Sequence, residues 1–281
     1  AVDIALSGRP PSSTTLRLEL LLDDLSPVAL EELTPTTTRA YFDSENRRNI
    51  AFEKIANAFG VNDISVDKVD IPDEDWAERS QANLRAIQVD DLIIAPPWDI
   101  PREESSHRQT VIIIRPSMGF GTGHHSSTRL CLKALQDLRE ALEPSSLVLD
   151  VGTGSGILAI AAVRLGARRV IAVDDDPDAL ENAGENLALN GVTQSITLQR
   201  GNLATIALPQ GNIVTANLQG AMFLKHHQRF LRFLRPSGFL VASGLTIDEG
   251  HAISSVFKHT MTLVAQQSEN NWISLTFQRT E

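Results

Sequence analysis

Cysteine is almost absent: Cys131 is the single one among 281 residues. One thiol forms no internal disulfide and rules out a zinc site built from cysteines, and such sparing use fits a reducing compartment. The chain also lacks any apolar run near the roughly 20 residues that a membrane helix needs. Ala1 to Pro10 shows neither the basic start nor the hydrophobic segment of a secretory signal. A soluble, untargeted, cytoplasmic protein that touches no membrane is the expectation. There is no internal repeat, no low-complexity tract and no Lys/Arg cluster of the kind that grips phosphates, which argues against direct nucleic-acid binding.

What is present is an ordinary globular composition, 42% hydrophobic and 21% charged, in a chain long enough for two domains or one enlarged one. The formal charge of −10 is unevenly spread. Residues 1–110 carry 21 acidic and 11 basic side chains, and residues 111–281 carry 14 of each. The whole excess therefore lies in the first 110 residues, either as a solubilising surface or as an acidic module that attracts a basic partner.

The hydrophobic pattern changes along the chain. Thr14 to Leu22 alternates, with Leu16, Leu18, Leu20 and Leu22 on one face, which predicts a half-buried strand. A short helix is expected from Ser26 and Pro27, then a strand at Arg39 to Phe42, a helix from Ser44 to Phe59 stopped by Gly60, and a strand at Ile64 to Val69. This outlines a small α/β domain. Asp73 to Ile87 reads as a connecting helix, followed by strand-like runs at Asp91 to Ala95 and Thr110 to Arg115.

From Leu147 the pattern is regular. LVLDV, VIAVD, ITLQR and NIVTA are short apolar or β-rich runs, with helical segments from Ser155 to Leu165 and from Pro177 to Asn190, closed by Gly166 and Gly191. Such alternation implies parallel strands with crossover helices in a doubly wound sheet. A helix at Gly220 to Leu234, a strand at Phe239 to Ser243 and a helix at Ile247 to Lys258 continue it. Met261 to Gln266 and Trp272 to Gln278 then form a hairpin added to the sheet.

Leu147-Val-Leu-Asp-Val-Gly-Thr-Gly-Ser-Gly156 carries the clearest chemical signal. A buried strand runs into Gly152, Gly154 and Gly156, and a helix begins at once, so a ligand can lie against bare backbone at a helix N-terminus. Dinucleotide loops place their last glycine one residue later, where this chain has Ile157, so the spacing is wrong for NAD. Asp150 is placed to accept from a bound ammonium or, through water, from the amino-acid part of a cofactor. Asp174 ends VIAVD, 22 residues after Gly152, where it can accept from ribose hydroxyls.

Pro116 to Thr128 is a second glycine-rich stretch, with Gly119, Gly121 and Gly123 exposing backbone and Thr122, His124 and Thr128 supplying polar groups. It reads as a lid over a ligand or as a hairpin turn. Asn217 ends NIVTA at the carboxyl edge of the sheet, where ligands of open α/β folds lie, and its carbonyl can accept from an amine; a turn-forming Asn is the other reading. No metal is expected. Asp176 caps the helix that Pro177 opens, Asp175 faces solvent, and the adjacent pairs His124-His125 and His226-His227 diverge in direction. Cys131 reads as core.

On MGFGTGHHSSTRLCL (residues 118–132), VLDVGTGSGILAIA (148–161), VDDDP (173–177) and Ala216-Asn217-Leu218, the chain resembles the ribosomal protein methyltransferases of the PrmA type. The resemblance runs from Asp73-Glu-Asp-Trp76 to the end, about three quarters of the chain, and the loop before the glycine motif is its most specific part. It implies a Rossmann-like, seven-stranded class I methyltransferase domain at residues 91–281, a small ferredoxin-like α+β substrate-recognition domain at 1–71, and a linker at 72–90. The implied activity is transfer of methyl groups from S-adenosyl-L-methionine (SAM) to amino groups, lysine side chains or the N-terminal amine, of a basic large-subunit stalk-base ribosomal protein, by a monomer. Carried over by position, it puts Thr128, Gly152, Asp174 and Asn217 on the cofactor, with Asn217 also near the methyl acceptor. Thr122, Gly123, Asp150, Gly154, Gly156 and Asn202 complete the expected cofactor set, and His124 is the candidate base beside Asn217. A methyltransferase for a small molecule or another protein, and a non-catalytic SAM- or nucleotide-binding module, stay open as alternatives.

Overall fold

The computed structural model describes residues 1–6, 18, 21–22, 25, 29–34, 36–42, 44–59, 64–69, 84–101, 109–116 and 122–280. The chain divides into two compact units, residues 1–76 and 77–281.

The first unit is an antiparallel sheet of β1 (Val2–Leu6), β2 (Ala29–Thr34), β3 (Thr37–Tyr41) and β4 (Ile64–Lys68), in the order β2-β3-β1-β4, with helix α1 (Glu45–Ala58) between β3 and β4. Ser44 caps α1 by accepting from the backbone N–H of Arg47 at 3.3 Å. The strand expected at residues 14–22 is a correction: Leu18, Leu21, Leu22 and Leu25 are helical. Their spacing is i, i+3, i+4, i+7, a helical stripe. Leu18, Leu22 and Leu25 are buried with Val2, Ile4, Ala51 and Ile55. A short leucine-rich run satisfies both periods, and packing against this sheet selects the helix. The helix expected from Ser26 and Pro27 begins outside the described residues, and from Ala29 the chain is strand. β1 was not anticipated. The resulting β-α-β-β-α-β order is ferredoxin-like.

Most of the connecting helix expected at 73–87 lies outside the described residues. Leu84 to Ala86 has no helical structure, and Ile87 opens strand β5 (Ile87–Val89). With β6 (Leu92–Ala95) and β7 (Thr110–Ile113) it makes a three-stranded sheet, β5-β6-β7. The open edge of β7 finds its partners on a helix: the side chain of Asn190 accepts from Ile113 N–H at 2.9 Å and donates to its carbonyl at 2.6 Å, while Asn186 accepts from Arg115 N–H at 2.8 Å. Backbone groups that would otherwise go unpaired are satisfied by these buried amides.

The main sheet has seven strands in the order β10-β9-β8-β11-β12-β14-β13. Its members are β8 (Leu147–Val151), β9 (Arg169–Asp174), β10 (Ile196–Arg200), β11 (Gly211–Asn217), β12 (Leu234–Thr246), β13 (Met261–Glu269) and β14 (Trp272–Arg279). The first five are parallel, and the β13–β14 hairpin adds antiparallel. This is the Rossmann-like architecture the motifs imply. Every residue of β8 is buried because helices cover both faces, which is why LVLDV is apolar without a break except at Asp150. Helices α2 (Ser126–Asp137) and α3 (Ile157–Leu165), with the small sheet, pack over Val148 and Val170. Helices α5 (Gly220–Phe233) and α6 (Ile247–Phe257) bury Phe223, Phe230, Phe233 and Phe257 over Leu149 and Val214. Helix α4 (Pro177–Leu189) links β9 to β10, capped by Asp176 and opened by Pro177 as expected. β12 extends beyond the expected 239–243 because Leu234, fully buried, already pairs with Gly211.

Candidate active site

The parallel strands all deliver their carboxyl ends to one edge, and the first glycine motif turns there. Gly152 and Thr153 donate their backbone N–H groups to Val173 O at 2.8 and 3.0 Å, binding the loop to the end of β9. Gly152 has φ +74°, and a Cβ there would stand 2.5 Å from Leu218 Cδ2. Only glycine allows both the left-handed turn and the close approach of the loop after β11. Gly154 donates its N–H to Asp174 Oδ2 at 2.9 Å. Gly156 opens α3, and a Cβ on it would press on Leu187 and Ala183 of α4, so this glycine serves helix packing.

Asp150 lies behind the loop, fully buried. Thr153 donates its hydroxyl to Oδ2 at 2.6 Å and Thr215 donates to Oδ1 at 2.7 Å. Burial pushes the carboxyl up to about 6, the hydroxyls only partly offsetting it. Both oxygens face protein groups, so the residue braces the loop instead of bordering open space. Thr153 and Thr215 had gone unnoticed in the sequence. Thr215 is visible only once β11 pairs with β8, which sets it directly opposite Asp150.

A cavity of about 650 Å³ opens in front of the loop. That is within the roughly 300–1,000 Å³ range of small-molecule sites. Gly152 and Gly154 form one side; Val151, Val173, Leu203, Leu218 and Met222 give apolar walls; Asp174, Asp175, Asp176, Asp178 and Asn202 make a polar rim. Asp174 accepts from Gly154 N–H and, through Oδ1, from Asp176 N–H at 3.2 Å. Each carboxylate oxygen keeps a lone pair for a further donor, which is what a pair of vicinal hydroxyls requires. Asn202 donates to Asp175 Oδ2 at 2.8 Å and accepts from Ala204 N–H at 2.9 Å, so its amide is fixed at both ends. Asp175 is exposed and also borders the cavity, a position the sequence reading had not given it. Leu203 and Met222 were likewise missed, since no periodicity separates a cavity wall from core.

Of the second glycine-rich stretch, residues 117–121 lie outside the described residues. Gly123 is buried, and a Cβ on it would come within 2.9 Å of Ile94 Cγ2, which ties the loop to β6. The Thr122 carbonyl stands 3.2 Å from Nδ1 of His124, whose Nε2 is 2.9 Å from Arg85 O. A carbonyl stands at each nitrogen, so whichever nitrogen carries the ring proton donates it to backbone and fastens His124 to the loop or to residue 85. His125 caps α2, accepting from Ser127 N–H at 3.3 Å. Thr128, buried in the first turn of α2, receives a hydrogen bond from Asn217 Nδ2 at 3.2 Å. Neither borders the cavity, whereas Leu218, the residue after Asn217, does. The structure thus gathers Gly152, Gly154, Asp174 and Asn202 around one space and sets the Thr128–Asn217 pair at the neighbouring strand end. Asp150, Gly156, Thr122, Gly123 and His124 support from behind or beside.

Cys131 is buried, and burial pushes its thiol up to about 12, so it is inert core. His226 stands at a kink in α5, its pKa lowered by burial and the charges of Lys225 and Arg229. Among the described residues no group of three or more His, Cys, Asp or Glu side chains is placed to hold a metal ion. No helix among them is long and apolar enough to cross a membrane.

The profile of the ribosomal protein L11 methyltransferase (PrmA) family matches residues 19–280. A ribosomal protein L11 methyltransferase of Geobacter sulfurreducens is 37% identical over 268 residues, covering 91% of this chain and 86% of that protein. One from Geobacter metallireducens is 36% identical over 285 residues, 98% of this chain and 91% of the relative. The crystal structure of a ribosomal protein L11 methylase from Lactobacillus delbrueckii subsp. bulgaricus superposes with a TM-score of 0.64 at 30% identity, covering 70% of this chain and all of that one.

Proposed function

Because the chain belongs to the ribosomal protein L11 methyltransferase (PrmA) family, we propose that it methylates amino groups of ribosomal protein L11, lysine side chains or the N-terminal amine, with SAM as methyl donor. The observation that carries this is the cavity at the carboxyl edge of β8 and β9, with bare glycine backbone on one side, the Asp174 carboxylate on the rim, and Asn217 held beside it by Thr128. SAM supplies an electrophilic methyl on a sulfonium, and the protein's task is approach geometry.

Asp174 accepts from the ribose hydroxyls, while Val173, Leu203 and Met222 offer apolar surface to the base. Gly152 and Gly154 leave room for the amino-acid part. Asn217, its Nδ2 committed to Thr128, turns Oδ1 to the acceptor amine and orients the nitrogen. That nitrogen must be neutral. For a lysine of pKa about 10.4, deprotonation at pH 7 costs about 4.6 kcal/mol, from 1.36 kcal/mol per pH unit. An amine held against Asn217 and away from water regains part of this, and solvent takes the proton.

In this reading residues 1–71 recognise the protein substrate, 72–90 connect, and 91–281 carry out transfer as a monomer. The acidic excess before residue 111 suits a basic ribosomal protein better than nucleic acid, and such a substrate places the enzyme in the cytoplasm. Incubation with labelled SAM and purified L11, with methyl groups mapped by mass spectrometry, tests the reading. Methyl groups on L11 amines are expected. No transfer to L11 beside clear transfer to another component of a lysate would overturn the acceptor.

A further inference from the structure

We propose that the Arg129–Glu269 ion pair is a positioning device for methyl transfer: through it the tip of the β13–β14 hairpin holds the first turn of α2, and through Thr128 it holds the Asn217 amide. The inference rests on the proposed methyltransferase reading and assigns a task to residues far from the cavity in sequence.

Arg129 directly follows Thr128. Its Nε donates to Glu269 Oε1 at 2.8 Å, and Nη2 reaches the same oxygen. Nη2 also donates to Ser126 Oγ at 2.9 Å, and Nη1 to the carbonyl of His124. One guanidinium thus ties the hairpin tip to the exit of the glycine-rich loop and to the start of the helix. Glu269 is further approached by Lys133 Nζ at 3.7 Å. The neighbouring side chains at the tip repeat the contact. Asn270 donates to Ser126 Oγ at 2.9 Å, and the ring of Trp272 meets that of the capping His125 edge-on at 4.5 Å.

A hairpin needs none of this to stay folded, since β13 and β14 are already laddered from Met261 to Glu269. Three of the four residues at its tip, Glu269, Asn270 and Trp272, are spent on a helix turn about 140 positions away in sequence. On its inner side that turn is fixed by Ser243, whose hydroxyl donates to Ser127 O at 3.1 Å, and by the Asn217–Thr128 bond. The first turn of α2 is therefore gripped from the hairpin on one side and from the ends of β11 and β12 on the other. Loss of the outer grip lets Thr128 shift, and a displacement of about 1 Å in reacting groups can cost on the order of 100-fold in rate.

The test is a cycle in the full-length chain: wild type, Glu269→Ala, Thr128→Val and the double variant, with Glu269→Gln as a milder companion that keeps the side chain's shape. Four readouts are taken: turnover of L11 at saturating substrates, the KM for L11, SAM affinity by calorimetry and the thermal midpoint. Glu269→Ala is expected to lower turnover about tenfold with the KM for L11 within about twofold, and to raise the Kd for SAM about threefold. In the Thr128→Val background both effects should shrink below about twofold, while the thermal midpoint falls equally in both backgrounds. Glu269→Gln should lie between wild type and Glu269→Ala. Unchanged turnover and SAM affinity in Glu269→Ala, or equal losses with and without the Thr128 hydroxyl, would overturn the proposal. A wild type that binds SAM but leaves L11 unmethylated overturns the acceptor reading alone, because the SAM-affinity cycle still reports on the ion pair. A wild type that binds no SAM overturns both.

Discussion

Replacing Asp150 with Asn should remove one pH-dependent contribution to stability while leaving the fold intact. Burial, partly offset by the hydroxyls of Thr153 and Thr215, raises this carboxyl from 3.8 to about 6. The unfolded chain releases the proton near the ordinary value, so between the two values the native state holds a proton that the unfolded state has lost. The stability contributed by the protonated form is complete below about pH 4 and is lost as pH rises through about 6. A shift of about 2 pH units at 1.36 kcal/mol each makes burial of the ionised group at pH 7 cost about 3 kcal/mol. Asn has the same shape, carries no charge, and meets two hydroxyls that can each donate or accept. D150N is therefore expected to be more stable than wild type at pH 7, by up to about 3 kcal/mol less any loss in hydrogen-bond quality, with the two converging toward about pH 4. Asp3 and Glu269, whose carboxyls Arg39 and Arg129 hold below the usual range, tilt both proteins the opposite way. The observable is thus the difference between two urea-denaturation series across this pH range. Parallel curves would refute the claim that Asp150 is buried with a raised pKa.

Three further outcomes are expected. Asp174→Ala should raise the Kd for SAM about tenfold or more, the worth of hydrogen bonds to a charged acceptor, and Asn217→Ala should cut turnover by a similar factor; circular dichroism checks that both fold, and unaltered activity in both would remove the assignment. Gly152→Ala forces a side chain into φ +74° and against Leu218, so a loss of about 1–3 kcal/mol in denaturation and weakened SAM binding are expected. If the acidic excess before residue 111 attracts the substrate, added salt should raise the KM for L11 more than it weakens SAM binding, whereas equal sensitivity would return the charge to solubility.

The second unit could be read from sequence because its signals are local and redundant. LVLDV is apolar at every position but Asp150 because β8 is covered on both faces, Gly166 and Gly191 close helices where the apolar runs end, and Asp176-Pro177 writes a cap and a first helical residue into adjacent positions. The first unit offered no such agreement. In Arg17-Leu-Glu-Leu-Leu-Leu-Asp-Asp-Leu25 the leucines satisfy a period of two and a period of 3.6 at once, and what decides between them is a sheet formed by residues 2–6, 29–34, 37–41 and 64–68. β1 is only five residues long, too short for its pattern to declare a period, so its strand character comes from pairing with β3 and β4 on either side.

The candidate site divides along the same line. Gly152, Gly154 and Asp174 are legible because each acts through its own backbone or its place at a strand end, which periodicity locates. Asp150 was legible as an acidic residue at a strand end, yet its orientation was not: whether it faces the cavity depends on Thr215, 65 positions away, arriving opposite it when β11 pairs with β8. His124 shows the converse. As a lone polar ring in a glycine-rich loop it resembles a base, and only the fold shows that the carbonyls of Thr122 and Arg85 stand against its two nitrogens, so the ring proton is held by backbone. A residue's chemistry can be read from its type, but its availability depends on what the fold sets against it, and that is also why the Arg129–Glu269 pair leaves no trace in the motif of which Arg129 is part.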